Sequence, residues 1–180
     1  MGNDRHLRGL ILLASGCLAG WSLPPQGWPW LLWLTLIPLW AQAGSRSPGG
    51  GVGGMVWALS ATLVSHRWLL WLHPLDWIGV PRGLSLPLCL LLWLLCGVLA
   101  GSLVLGWLGL ARRLDANRFS TAAILSALWG LAEVVLARGP LFWLGLGAGA
   151  LPGDPALAGV GALGGAGSLA ALQLLSLIHI

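Results

Sequence analysis

Residues 84–110 read LSLPLCLLLWLLCGVLAGSLVLGWLGL, an apolar run without a charged side chain. At a rise of about 1.5 Å per residue, a helix of this length exceeds the ~30 Å hydrocarbon core of a bilayer. The rest of the chain has the same character, because 57% of its 180 residues are hydrophobic and only 8% are charged. Soluble domains average about 45–50% and 25%. The sequence therefore predicts a polytopic membrane protein.

Five further apolar runs surround this one, separated by short loops that contain Pro, Gly or charged residues. They cover approximately residues 7–23, 28–43, 50–72, 119–137 and 155 to the end of the chain. The predicted fold class is all-α, a polytopic transmembrane bundle of about six helices. We expect residues 66–81, which overlap the end of the third run, to form an interfacial loop. Part of the glycine-rich loop 138–154 is expected to dip into the membrane edge.

The arginines indicate how the bundle is oriented. Loops on the N-terminal side of the alternating spans carry six of the nine: Arg5, Arg8, Arg46, Arg112, Arg113 and Arg118. The opposite side carries Arg67, Arg82 and Arg138. The positive-inside rule therefore predicts a cytoplasmic N-terminus. Because the arginines form no run or stripe, we do not expect nucleic acid as a partner.

Tryptophan is the aromatic residue available for the membrane interfaces, since the chain has 13 tryptophans and no tyrosine. Aromatic residues concentrate at the level of the lipid head groups. Six of them lie near the ends of predicted spans: Trp28, Trp30, Trp40, Trp68, Trp71 and Trp77. We expect these indoles to form an interfacial belt.

The cysteines and histidines do not suggest a metal site. Cys17, Cys89 and Cys96 fall inside apolar runs without CxxC or Cys/His spacing, so they are interpreted as buried apolar residues. His66 and His73 could share a helix face as haem ligands. Because no matching pair exists on another predicted helix, we interpret them as interfacial histidines. No metal or cofactor is expected.

Glu133 is the one carboxylate inside a predicted span. Ionisable groups at such depth are functional candidates because burying them is costly. We expect its partner to be Arg138, near the end of the same helix, or a backbone donor across the bundle. A purely structural pair or a hydrogen-bonded, protonated acid is an equally good interpretation. The sequence has no Ser/His/Asp set, phosphate loop or lysine from which to assemble a catalytic site.

Glycine spacing predicts close contacts between helices. Gly16 and Gly20, like Gly97 and Gly101, have GxxxG spacing, which we attribute to packing within the chain rather than to dimerisation. The glycine-rich stretch 159–167 predicts a helix that is either tightly packed or locally irregular.

The last six residues, LSLIHI at 175–180, have an unusual origin in our interpretation. They are a translation of CTGTCTCTTATACACATC, which resembles the mosaic-end adapter used in transposase-based sequencing libraries. We therefore expect the native part of this chain to end near Leu174. The natural protein is expected to continue beyond that point with other residues. On this interpretation His179 has no role.

Three stretches together resemble one protein family. They are LPPQGWPW at 23–30 leading into LIPL at 36–39, the helix from Gly50 ending in RWLLWL at 67–72, and WGLAE at 129–133 followed by Arg138-Gly139 and FWLG at 142–145. In order and spacing they are similar to the N-terminal membrane domain of the apolipoprotein N-acyltransferases, over residues 5–174. The sequence departs from the family pattern at Val134, where tryptophan is usual. It also lacks a proline between Phe142 and Trp143, and residues 147–150 replace a polar stretch.

The resemblance implies an enzyme of the bacterial inner membrane. Family members transfer an acyl chain from a phospholipid to the α-amino group of the diacylglyceryl-cysteine of an apolipoprotein. They use a cysteine, a glutamate and a lysine in a periplasmic nitrilase-like domain, and none of these can be placed in this chain. Residues 1–174 are therefore expected to hold lipid without catalysing transfer. The candidates for contacting lipid or lining a cleft are Glu133, Arg138, Trp143, Trp68 and Trp71. A transporter or flippase fragment and a purely structural membrane subunit are the alternatives.

Overall fold

A computed structural model of the chain describes residues 2–23, 28–45, 50–139, 144–149 and 155–179. Its helices are α1 (Gly2–Ser22), α2 (Pro29–Gly44), α3 (Gly50–Ser65), α4 (Arg82–Leu114), α5 (Phe119–Leu136), α6 (Leu146–Gly149) and α7 (Pro155–Ser176). Short 3₁₀ segments occur at Arg67–Leu72, Asp76–Ile78 and Leu177–His179. No strand occurs in the described ranges, and the predicted all-α bundle is confirmed.

Three helices of the described chain are long and apolar enough to cross a membrane: Arg82–Leu114, Phe119–Leu136 and Ala158–Ser176. On α4 the outward side is covered by leucines such as Leu84 and Leu91, which are 59% and 63% exposed. An apolar surface of this extent is unfavourable in water and is satisfied by lipid. The protein is therefore a membrane protein.

Glycines allow α1 to pack directly on α3. Gly16 lies against the backbone carbonyl of Trp57, and Gly20 lies against that of Ala61, so that a Cβ at either glycine would overlap the oxygen. Because contacts advance in the same direction along both helices, α1 and α3 run parallel. The predicted packing of the GxxxG pair within the chain is confirmed.

The α3 and α4 helices run antiparallel. Gly54 lies under the side chain of Leu108, while Gly97, farther back along α4, lies against Leu63. The Asn117 side chain in the α4–α5 loop donates to the Gly44 carbonyl at the end of α2 (3.4 Å). The N-terminus, the α2–α3 connection and the α4–α5 loop therefore share one end of the bundle, as predicted. We call this the N-terminal end and the other the opposite end.

The third helix is shorter than predicted. It ends at Ser65 instead of continuing to residue 72, and the chain then winds as a 3₁₀ segment. Two contacts of Arg67 accompany this change: its guanidinium donates to the Val64 carbonyl (3.2 Å) and lies over the Trp21 ring at 4.7 Å. These contacts tie the chain to the end of α1.

The last helix is interrupted by a non-helical residue. Gly165 has φ 75° and ψ 178°, a conformation that favours glycine. Two residues later Gly167 lies against the backbone of Gly130 in α5. Both alternatives predicted for this stretch therefore occur, irregular geometry at one glycine and tight packing at the next.

Candidate functional site at the opposite end

Glu133 lies near the end of α5 and is only 4% exposed. Its Oε1 accepts hydrogen bonds from Trp129 Nε1 (3.1 Å) and from the backbone N–H of Leu146 (2.8 Å). Its Oε2 accepts from the backbone N–H of Gly147 (3.2 Å). A buried carboxylate is tolerable only when its oxygens are satisfied in this way. The hydrogen bonds of Glu133 to two backbone N–H groups therefore connect the short helix α6 to α5.

The glycines of α6 let it approach its neighbours closely enough for these bonds. A Cβ at Gly147 would overlap the backbone carbonyl of Ala166 in α7, and a Cβ at Gly149 would lie 2.6 Å from Leu23 Cδ2. Gly145, just before α6, has φ 65°, a left-handed conformation that glycine adopts without strain. Gly147 and Gly149, two of the small residues that replace the family's polar stretch, are thus required by the packing, and Gly147 supplies a donor to Glu133.

The carboxylate does not pair with Arg138. In the described part of the chain the ion pairs are Arg82–Asp76 (3.6 Å) and Arg118–Asp115 (3.5 Å), and Arg138 is exposed. Of the two partners considered for Glu133 from the sequence, the structure contains the backbone donor. Trp129, a third partner, was not among the candidates. Its position four residues before Glu133 places it on the same helix face, so helical spacing could have identified it.

A row of tryptophans extends from Glu133 into the core. The Trp129 ring contacts Trp107 edge-on at a centroid distance of 5.3 Å, and Trp107 contacts Trp40 at 6.0 Å. Trp107 Nε1 also donates to the Leu125 carbonyl (3.0 Å), which joins α4 to α5. The prediction that Trp40 belongs to the interfacial belt is wrong, because its position next to Trp107 buries it.

Other tryptophans of the expected belt gather at the opposite end. Trp28 and Trp30 at the start of α2 are 58% and 77% exposed, and Trp71 and Trp77 between α3 and α4 are 77% and 70% exposed. Trp68 is half-buried, with its ring 6.5 Å from that of His66. Trp143 lies outside the described residues. This end of the bundle thus presents indoles suited to lipid head groups.

The two histidines make separate local contacts. His66 is buried, not exposed at the surface, and its Nδ1 is 2.8 Å from Ser65 Oγ. His73 is exposed, and its Nδ1 is 2.8 Å from Ser85 Oγ, which also accepts from Leu75 N–H. Within the described ranges, no three His, Cys, Asp or Glu side chains are arranged to hold a metal ion.

A cavity of about 280 Å³ lies at the N-terminal end, lined by Trp40, Ser45, Asn117, Leu177 and Ile178, among others. Leu177 and Ile178 belong to the 3₁₀ segment that follows α7. We assign no ligand to this cavity.

The curated relatives that the chain matches share one name. No family model matches the chain. Among curated relatives, the apolipoprotein N-acyltransferase of Prochlorococcus marinus strain MIT 9313 is 47% identical over 97% of this chain and 36% of its own length. Those of Prochlorococcus marinus strain SARG and Parasynechococcus marenigrum strain WH8102 are 44% and 42% identical, again over 97% of this chain. The chain spans 36–37% of the length of these three relatives. Over nearly its whole length, the chain is therefore similar to part of the apolipoprotein N-acyltransferases.

Proposed function

We propose that this chain is the membrane domain of an enzyme that completes bacterial lipoproteins. The enzyme transfers an acyl chain from a phospholipid to the α-amino group of the N-terminal diacylglyceryl-cysteine of an apolipoprotein. The observation that carries the proposal is the 47% identity, across 97% of the chain, to the apolipoprotein N-acyltransferase of Prochlorococcus marinus strain MIT 9313. We place the enzyme in the cytoplasmic (inner) membrane with the N-terminus in the cytoplasm, following the distribution of the arginines.

In this proposal the opposite end of the bundle faces the outer leaflet and presents lipid. The exposed indoles of Trp71 and Trp77 support this placement, since tryptophan favours the head-group level. Glu133 acts as a positioning residue that holds α6 at the same end. Trp68, Arg138 and Trp143 remain candidates for contacting the phospholipid or the apolipoprotein.

The chemistry itself belongs, in this proposal, to the part of the relatives that lies outside the match. The sequence contains no lysine, and Cys89 and Cys96 are buried in the membrane-spanning helix α4. Residues 1–174 alone should therefore not transfer an acyl chain. We retain the interpretation of residues 175–180 as adapter sequence.

A chimera tests the proposal. Residues 1–174 replace the matching segment of the Prochlorococcus marinus MIT 9313 relative, and the purified chimera is incubated with phospholipid and a diacylglyceryl-cysteine peptide. We expect mass spectrometry to show the gain of one acyl chain with the chimera and none with the chain alone. A chimera that folds but does not acylate the peptide would contradict the proposal. Lipid flipping by the isolated chain in vesicles would favour the flippase alternative.

A further inference from the structure

A second polar cluster lies at the N-terminal end of the bundle, remote from Glu133. Arg112, in the last turn of α4, extends over the first turn of α3. A Cβ placed on Gly50 would collide with Nη2 of Arg112 and lie 2.5 Å from Oε1 of Gln42, and one on Gly51 would be 3.6 Å from Nη1. The two glycines at the start of α3 therefore form a cradle for the guanidinium.

The polar atoms in this cradle are buried without partners. Nε and Nη2 of Arg112 and Oε1 of Gln42 are inaccessible and make no hydrogen bond. A buried donor without an acceptor is costly, and the cost is larger for a charged group. The cluster therefore lacks a component that would accept these hydrogen bonds.

Charge indicates the nature of that component. The N-terminus of α3 adds N–H groups that have no partner within the helix, and a partial positive charge, to the positive guanidinium. The carboxylates whose side chains the structure describes are engaged elsewhere: Asp76 and Asp115 pair with arginines close to them in sequence, and Glu133 binds α6. The described part of the chain thus brings two positive groups together without an anion between them.

We propose that Arg112, Gln42 and the first turn of α3 bind a phosphate group. The planar guanidinium suits the oxygens of a phosphate, and the first N–H groups of a helix suit an anion. Rotating the Gln42 amide by 180° would offer Nε2 as a further donor. Because α4 is long enough to cross a bilayer, its last turn lies at the membrane surface, where phospholipid head groups carry phosphate. Inorganic phosphate has the same chemistry.

Native mass spectrometry of the full chain in detergent micelles can test this site, with phosphatidylglycerol and inorganic phosphate as separate probes. We expect Arg112→Gln to weaken binding of the probe about tenfold, the equivalent of one charge-assisted hydrogen bond. Arg113→Gln removes the same charge from an exposed neighbour and should change binding by less than about twofold. Gly50→Ala fills the cradle, keeps the charge and should weaken binding as Arg112→Gln does. If Arg112→Gln does not retain the circular dichroism of the folded helices, the loss of binding in Gly50→Ala tests the proposal instead.

The probes distinguish the source of the phosphate. Phosphatidylglycerol binding that millimolar inorganic phosphate does not displace assigns the site to a lipid, and displacement assigns it to the free ion. Equal losses in the Arg112 and Arg113 variants would overturn the proposal, because the attraction would then be general surface charge. Binding of neither probe by the wild-type chain would also overturn it.

Discussion

Replacing Glu133 by glutamine should destabilise the bundle by removing one acceptor. The amide oxygen can still accept from Trp129 and Leu146, which both bind Oε1. The NH₂ group, however, takes the place of Oε2 and faces the Gly147 N–H as a second donor. The variant keeps the volume of the side chain, so the lost hydrogen bond dominates its effect.

The size of the effect follows from the number of donors left without an acceptor. A buried unsatisfied donor costs about 1–3 kcal/mol in soluble proteins, and interhelical hydrogen bonds in membrane proteins average about 0.6 kcal/mol, reaching about 1.7. We therefore expect Glu133→Gln to lower the free energy of unfolding by about 1–2 kcal/mol. Glu133→Ala leaves three donors unsatisfied and should cost about 3–5 kcal/mol. Unfolding in mixed micelles by titration with dodecyl sulfate, followed by far-UV circular dichroism, measures both.

Arg138→Gln is the matched control, because Arg138 is exposed and outside the contacts of Glu133. It should change the unfolding free energy by less than about 0.5 kcal/mol, and the double variant should show no coupling between the two residues. Strong coupling, or a loss at Arg138 equal to that at Glu133, would refute the assignment of Glu133 to the α6 backbone. An unchanged stability in Glu133→Ala would refute it as well.

Three further predictions concern packing and topology. Gly147→Ala should destabilise the chain by about 1–3 kcal/mol through overlap with α7, whereas Gly109→Ala, which meets no atom within 4 Å, should be neutral or stabilising in the same unfolding assay. Ser45→Cys and Gly79→Cys, each in a background without native cysteines, should react with a membrane-impermeant thiol reagent from opposite sides, and labelling of both from one side would contradict the topology. Trp107→Phe should cost about 1 kcal/mol by removing the indole donor between α4 and α5, and an unchanged unfolding midpoint would show that this bond is dispensable.

The membrane helices could be predicted because each is a continuous apolar run. The predicted span 84–110 lies inside α4, and the prediction 119–137 exceeds α5 by one residue. Hydropathy cannot indicate where α3 changes to a 3₁₀ segment, because residues 66–72 remain largely apolar across the change. The contact between Arg67 and Trp21 that accompanies the end of the helix joins residues that are distant in the sequence.

The candidate site was predictable in part. An intramembrane carboxylate is conspicuous in a sequence this apolar, and Glu133 was identified on that basis. Its main partners are backbone N–H groups 13 and 14 residues away. Because every residue except proline has a backbone N–H, the sequence does not show which one is the partner. Arg112 was counted only as a charge that orients the bundle. Its position over the start of α3 depends on the α3–α4 packing, which hydropathy does not indicate.

The single carboxylate of Glu133 is sufficient to hold α6 at the opposite end because of the composition of α6. Its four residues, Leu-Gly-Ala-Gly, carry no polar side chain, so only the backbone can be bound by a partner. The close approach of Gly147 to α7 leaves no room for a larger side chain on that side of α6. The hydrogen bonds to the α6 backbone come instead from Glu133 in α5, which also accepts from Trp129. In the complete enzyme that we propose, Glu133 therefore influences acyl transfer through the position of α6. Because it is buried and its oxygens accept from three donors of the chain itself, we expect it to act by positioning α6 and not by contacting a reacting atom.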